Sequence, residues 1–124
     1  MKCVLIVDDE PEIVTLVRMT LEGESIRILE AHTGSDAFQI AKEERPDLIL
    51  LDVMMPGTTG LEVCKQLRED PATKDITVIM LTARAQPWDR DAGMGAGANG
   101  YVVKPFSPLS LLRKVDEVLG RACV

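Results

Sequence analysis

The residues of this chain best suited to chemistry stand at the ends of short apolar runs. Val4-Leu5-Ile6-Val7 runs into Asp8-Asp9-Glu10, and Leu48-Ile49-Leu50-Leu51 runs into Asp52. Val78-Ile79-Met80-Leu81 runs into Thr82-Ala83, and Tyr101-Val102-Val103 into Lys104-Pro105. Asp8, Asp9 and Asp52, brought close together, would repel one another, and a hard cation such as Mg²⁺ (or Mn²⁺) relieves that repulsion through oxygen ligands. A carboxylate is also a nucleophile toward phosphorus, giving an aspartyl-phosphate. The Thr82 hydroxyl and the Lys104 ammonium would then hold phosphoryl oxygens, whose charge must be neutralised in transfer. Each residue alone has an ordinary reading: an aspartate caps a helix, a threonine ends a strand, a lysine is solvated. Their joint order and spacing carries the signal.

Such residues meet only if the runs are parallel strands with their C-termini along one edge, where open α/β sheets bind their ligands. Apolar runs alternate with helical periodicity from end to end, which predicts βαβ units and a parallel sheet. Strands are predicted at Lys2–Val7, Ser25–Ala31, Leu48–Leu51, Thr77–Leu81 and Tyr101–Val103. Arg27 and Glu30 in the second suggest a sheet edge, whereas unbroken Leu48–Leu51 suggests a central strand covered on both faces.

A first helix opens at Pro11, turns Ile13, Leu16, Val17 and Leu21 inward, and stops at Gly23. A second starts at Thr33-Gly34-Ser35, with Ala37, Phe38, Ile40 and Ala41 inward. The turn-rich Pro56–Gly60 leads to a third, Leu61–Glu69, with Leu61, Cys64 and Leu67 inward; Asp70-Pro71 breaks it. A short fourth is predicted at about Pro87–Met94, beside Gly93, Gly95, Gly97 and Gly100. Ser107 and Pro108 open the last, with Leu109, Leu112, Val115 and Leu119 as its stripe.

The 124 residues suit one domain with a single core, 46% hydrophobic and supplied by Val, Ile, Leu and Met rather than aromatics. A net charge of −6 argues against a nucleic-acid surface, and no apolar run is long enough for a membrane span. No charged-then-apolar leader is apparent, so a cytoplasmic protein is expected. Cys3, Cys64 and Cys123 match no metal-ligand spacing and read as reduced thiols. His32 reads as a solvent-facing loop residue.

Asp8-Asp9-Glu10-Pro11, Leu50–Gly57, Leu81-Thr82-Ala83-Arg84 and Lys104-Pro105-Phe106 together resemble the receiver domain of two-component response regulators, over essentially the whole chain. The resemblance implies a doubly wound, flavodoxin-like sheet of five parallel strands in the order 2-1-3-4-5, with five helices on two faces. It implies that Asp52 takes a phosphoryl group from a histidine kinase or a phosphotransfer protein. Asp9 resembles the direct Mg²⁺ ligand, Asp8 its partner through water, and Met54 the residue giving a backbone carbonyl. Thr82 and Lys104 resemble the residues that hold the phosphoryl oxygens, with Lys104-Pro105 resembling a family cis peptide. Tyr101 occupies the place of the aromatic that rotates inward behind the threonine. A downstream protein would read the face made by the fourth helix, fifth strand and fifth helix.

On that face Gly97-Ala98-Asn99-Gly100 replaces the acidic or bulky residues usual in the family, and Pro87-Trp88 is also uncommon. The chain is expected to be one receiver domain spanning residues 1–124, either free-standing or excised from a longer regulator. It should catalyse only its own phosphorylation and slow dephosphorylation. Two alternatives stand beside this reading: a Mg²⁺-dependent phosphohydrolase with an aspartate nucleophile, and an interaction domain independent of phosphorylation. The first would normally carry a second acid two residues after the nucleophile, where this chain has Met54.

Overall fold

The computed structural model describes residues 2–23, 25–53, 55, 59–82, 95–104 and 106–120. Among them are five strands: β1 (Lys2–Val7), β2 (Ile26–Ala31), β3 (Leu48–Asp52), β4 (Thr77–Thr82) and β5 (Gly100–Val103). Four helices accompany them: α1 (Pro11–Leu21), α2 (Gly34–Glu44), α3 (Gly60–Glu69) and α4 (Pro108–Leu119). The helix predicted at about Pro87–Met94 lies outside the described residues.

All strand pairs are parallel and the order is β2-β1-β3-β4-β5. β2 is therefore an edge, as its Arg27 and Glu30 suggest, and every residue of the central β3 is buried. Because a strand's side chains alternate between faces, the sheet feeds two apolar layers. Val4, Ile6, Leu48, Leu50, Ile79 and Leu81 pack with Val14 and Val17 of α1 and Leu111 and Val115 of α4. Leu5, Val7, Ile49, Leu51, Val78 and Met80 pack with Ala37 and Ala41 of α2 and Val63, Cys64 and Leu67 of α3.

The helix starts follow the local chemistry. The Thr33, Thr59 and Ser107 hydroxyls accept hydrogen bonds from the Asp36, Glu62 and Ser110 amides at 3.1, 3.3 and 3.1 Å. Pro11 and Pro108 occupy first-turn positions, where a missing N–H leaves no bond unmade. α4 ends on Gly120 at φ +71°, whose amide caps the last turn.

Two predicted stripes are corrected. In α4, Leu109 is 56% exposed, and Leu111, Val115 and Leu119 carry the contact with the sheet. Residues 111, 115 and 119 fall on one i, i+4 line packed on the sheet, whereas Leu109 lies about 200° around the axis from Leu111, so the two leucines cannot both face it. In α1 the inward line is Val14, Val17 and Leu21, with Ile13 and Leu16 at its margins.

Cys3 and Cys64 are buried free thiols, as expected for reduced core residues, while Cys123 lies outside the described residues. Burial pushes both thiols above their ordinary values, against smaller downward pulls from Arg27 at Cys3 and Arg68 at Cys64. In a Cys123→Ser background, a disulfide-exchange reagent should label these thiols at least about tenfold more slowly in buffer than in denaturant. Equal rates would contradict their burial.

Candidate functional site

β1, β3, β4 and β5 deliver their ends to one edge, and the register shows how. Val7 pairs with Leu51, Asp52 with Leu81, and Thr82 with Val103. Asp8, Asp52, Thr82 and Lys104 therefore stand at or one step beyond the last rung of each ladder. Two further bonds carry the ladder outward: the Val53 amide donates to the Leu81 carbonyl at 3.0 Å, and the Lys104 amide to the Thr82 carbonyl at 2.6 Å. The start of α3 anchors the same region. Gly60 donates its amide to the Val53 carbonyl at 2.9 Å and lies against the backbone of Asp52.

Asp8, Asp9, Glu10 and Asp52 each offer a carboxylate oxygen, and all four oxygens lie within 4.8 Å of one another. Asp8 and Asp52 are buried, at 0% and 3% exposure, whereas Asp9 and Glu10 face solvent. The Lys104 ammonium lies among them, 2.8 Å from Asp8 Oδ2, 3.2 Å from Glu10 Oε1 and 3.5 Å from Asp52 Oδ1. Burial is the largest single influence on Lys104 and pulls its pKa down. The hydrogen bond to Asp8, the charges of Asp52 and Asp8, and the bond to Glu10 together outweigh it and hold the group above its ordinary value. Lys104 is therefore a cation at neutral pH. A compact set of carboxylate oxygens beside one ammonium has the hard-oxygen chemistry that Mg²⁺ takes.

The structure thus brings together Asp8, Asp9, Asp52 and Lys104, and sets the buried Thr82 on the same edge. Met54 and Pro105 lie outside the described residues, as do Arg84, Trp88 and the face expected around residues 87–94. Tyr101 is half-buried on β5 and packs against the α2–α3 layer. His32 is exposed. The sequence reading gave Glu10 no role, although it binds Lys104 and belongs to the acidic group. Its place directly after Asp8-Asp9 was the available signal. It also missed Gly60, whose importance lies in a contact made only after folding.

A family model described as response regulator receiver domain matches residues 4–116. The transcriptional regulatory protein ResD of Bacillus subtilis is 49% identical over 119 residues, covering 96% of this chain and 48% of that protein. The chain spans about half the length of the regulators it matches. The structure of chemotaxis protein CheY4 of Vibrio cholerae aligns with a TM-score of 0.90 and 36% identity, covering 95% of this chain and 98% of that one. The receiver domain of sensor histidine kinase PA1611 of Pseudomonas aeruginosa aligns with a TM-score of 0.88 and 29% identity, covering 96% and 98%; that structure has a magnesium ion coordinated in its active-site cleft.

Proposed function

This chain belongs to the response regulator receiver family, and from that premise we propose that Asp52 is its phosphoacceptor, loaded from a phosphohistidine of a histidine kinase or phosphotransfer protein. The observation that supports this most directly is the burial of Asp52 beside the Lys104 ammonium, with Asp8, Asp9 and Glu10 at the same point. The Asp52 carboxylate oxygen attacks phosphorus in line. The new P–O bond forms as the P–N bond breaks, and the bonding pair returns to the imidazole nitrogen, which takes up a proton. Lys104 and Thr82 hold oxygens of the transferred group. Asp9, Asp52 and the Met54 carbonyl would hold Mg²⁺, with Asp8 acting through water; the ion, when bound, supplies neutralisation of the clustered negative charge.

Thr82 and Tyr101 form the switch in this reading. New charge-assisted bonds at Asp52 draw the threonine hydroxyl in, and the aromatic follows into the space behind it. A downstream protein then reads the face that includes β5, α4 and the segment before β5. The chain's own chemistry is limited to gaining and losing this phosphoryl group, as one receiver unit acting in the cytoplasm. Among the described residues no helix is long and apolar enough to cross a membrane. Family membership speaks against both the phosphohydrolase and the phosphorylation-independent alternative.

With acetyl phosphate and Mg²⁺, the wild type should gain the mass of one phosphoryl group, and Asp52→Asn should gain none. Chelating the metal should suppress the wild-type reaction. Modification of Asp52→Asn at the wild-type rate would overturn the assignment.

A further inference from the structure

We infer that Glu10 is a positioning residue for Lys104, receiving its ammonium when a divalent cation occupies the crevice and thereby favouring cation binding. This role rests on the site reading above. The Lys104 backbone is tied to the end of β4 by the 2.6 Å bond from its amide to the Thr82 carbonyl, which leaves its long side chain as the ready means of moving the ammonium. The ammonium binds buried Asp8 at 2.8 Å and rim-lying Glu10 at 3.2 Å, and sits 3.5 Å from buried Asp52. Its side chain is 11% exposed, against 52% for Glu10. A cation held by Asp8, Asp9 and Asp52 repels the ammonium from two of these three partners. A largely buried ammonium with no carboxylate to move to carries a steep desolvation cost.

Glu10 is the remaining partner, and its location is preset. Its amide donates to Asp8 Oδ1 at 2.9 Å, which holds the start of its side chain beside the crevice while the carboxylate reaches the rim. In the cation-free form Asp8 therefore uses one oxygen to place Glu10 and the other to hold Lys104. Asp8 links the two groups whose contact must survive cation entry. The substitution Glu10→Gln would keep the shape of the side chain but leave the displaced ammonium facing the cation without a counter-charge. That penalty falls on the cation-bound form more than on the free one.

Glu10 could also attract a cation simply through its charge, and a double-mutant cycle separates the two effects. Mg²⁺ binding to the unphosphorylated protein is measured by calorimetry for wild type, Glu10→Gln, Lys104→Met and the double variant. Glu10→Gln should weaken Mg²⁺ binding about three- to fivefold in the wild-type background, the upper end of the range for a partly exposed charge pair. In the Lys104→Met background the same change should matter by less than about twofold. The side-chain ammonium resonance of Lys104 should persist on Mg²⁺ titration in the wild type and be lost to solvent exchange in Glu10→Gln. Equal weakening in both backgrounds would show that Glu10 acts as a plain charge and overturn the role, as would no weakening at all. Absence of Mg²⁺ binding by the wild type would overturn the site reading and this role with it.

Discussion

Gly60→Ala should lower unfolding free energy by about 2–4 kcal/mol and slow phosphorylation of Asp52 by acetyl phosphate by about tenfold or more. A Cβ at Gly60 would lie 2.2 Å from the carbonyl oxygen of Asp52, and 3.0 Å from both its carbonyl carbon and Val53 Cα. All three are backbone atoms, so no rotamer change relieves the overlap. Either α3 withdraws, breaking the 2.9 Å bond from the Gly60 amide to the Val53 carbonyl, or the end of β3 moves. The first opens the layer where Val63, Cys64 and Leu67 are fully buried. The second displaces the proposed nucleophile from Lys104 and the acidic group, and misplacement by an ångström costs on the order of 10²-fold in a positioned reaction. Urea unfolding and the phosphorylation rate give the two readouts. Gly95→Ala, whose Cβ would meet nothing within 4 Å, is the matched control. Wild-type stability and rate in Gly60→Ala would refute the close-packing argument.

The second large effect is expected at Arg68, where Arg68→Lys should cost about 2–3 kcal/mol despite keeping the charge. The Arg68 Nε donates to the Gly97 carbonyl at 2.9 Å, and Nη1 to the Lys74 and Ile76 carbonyls at 2.9 and 2.7 Å. Nη2 donates to Asn99 Oδ1 at 2.9 Å. Asn99 is in turn held to Val78 by two bonds: its amide donates to the Val78 carbonyl at 2.7 Å, and its Oδ1 accepts from the Val78 amide at 2.8 Å. One guanidinium therefore joins the end of α3, the loop before β4 and the segment before β5. A lysine has three donors on one nitrogen and cannot span this fork.

Gly97 completes the clamp. Its φ of +104° suits only glycine, and a Cβ there would lie 2.7 Å from Arg68 Cγ. β5 has four residues and, among the described residues, pairs with β4 alone, so its N-terminal end depends on this anchor. Hydrogen exchange of the Tyr101 and Val102 amides should quicken in Arg68→Lys and in Gly97→Ala, with less-than-additive loss in the double variant. Full additivity, or unchanged exchange in both, would contradict a shared clamp. The departures around Gly97 and Asn99 were visible in the sequence, yet the physical partner, Arg68, lies 29 residues before Gly97 and gave no local sign.

Much of the site was legible because its residues close runs whose periodicity is local. Once Val4–Val7, Leu48–Leu51, Val78–Leu81 and Tyr101–Val103 read as parallel strands, the common edge of Asp8, Asp52, Thr82 and Lys104 followed. Asp9 came with it, but the share of Glu10 in the acidic group did not. Helix phase was less legible: Leu109 and Leu111 are both apolar, and only the packing of the helix against the sheet decides which one is buried.

Residue type and short-range spacing were enough to set the alternation of strands and helices, the acids at the strand ends and the cation after the fifth strand. Three contacts emerged only with folding: Lys104 rests between Asp8 and Glu10, Gly60 abuts the carbonyl of Asp52, and Arg68 holds Gly97 and Asn99. Those contacts join residues up to 96 positions apart. They depend on how helices settle on the sheet to within an ångström, a scale that close packing enforces and linear spacing does not encode.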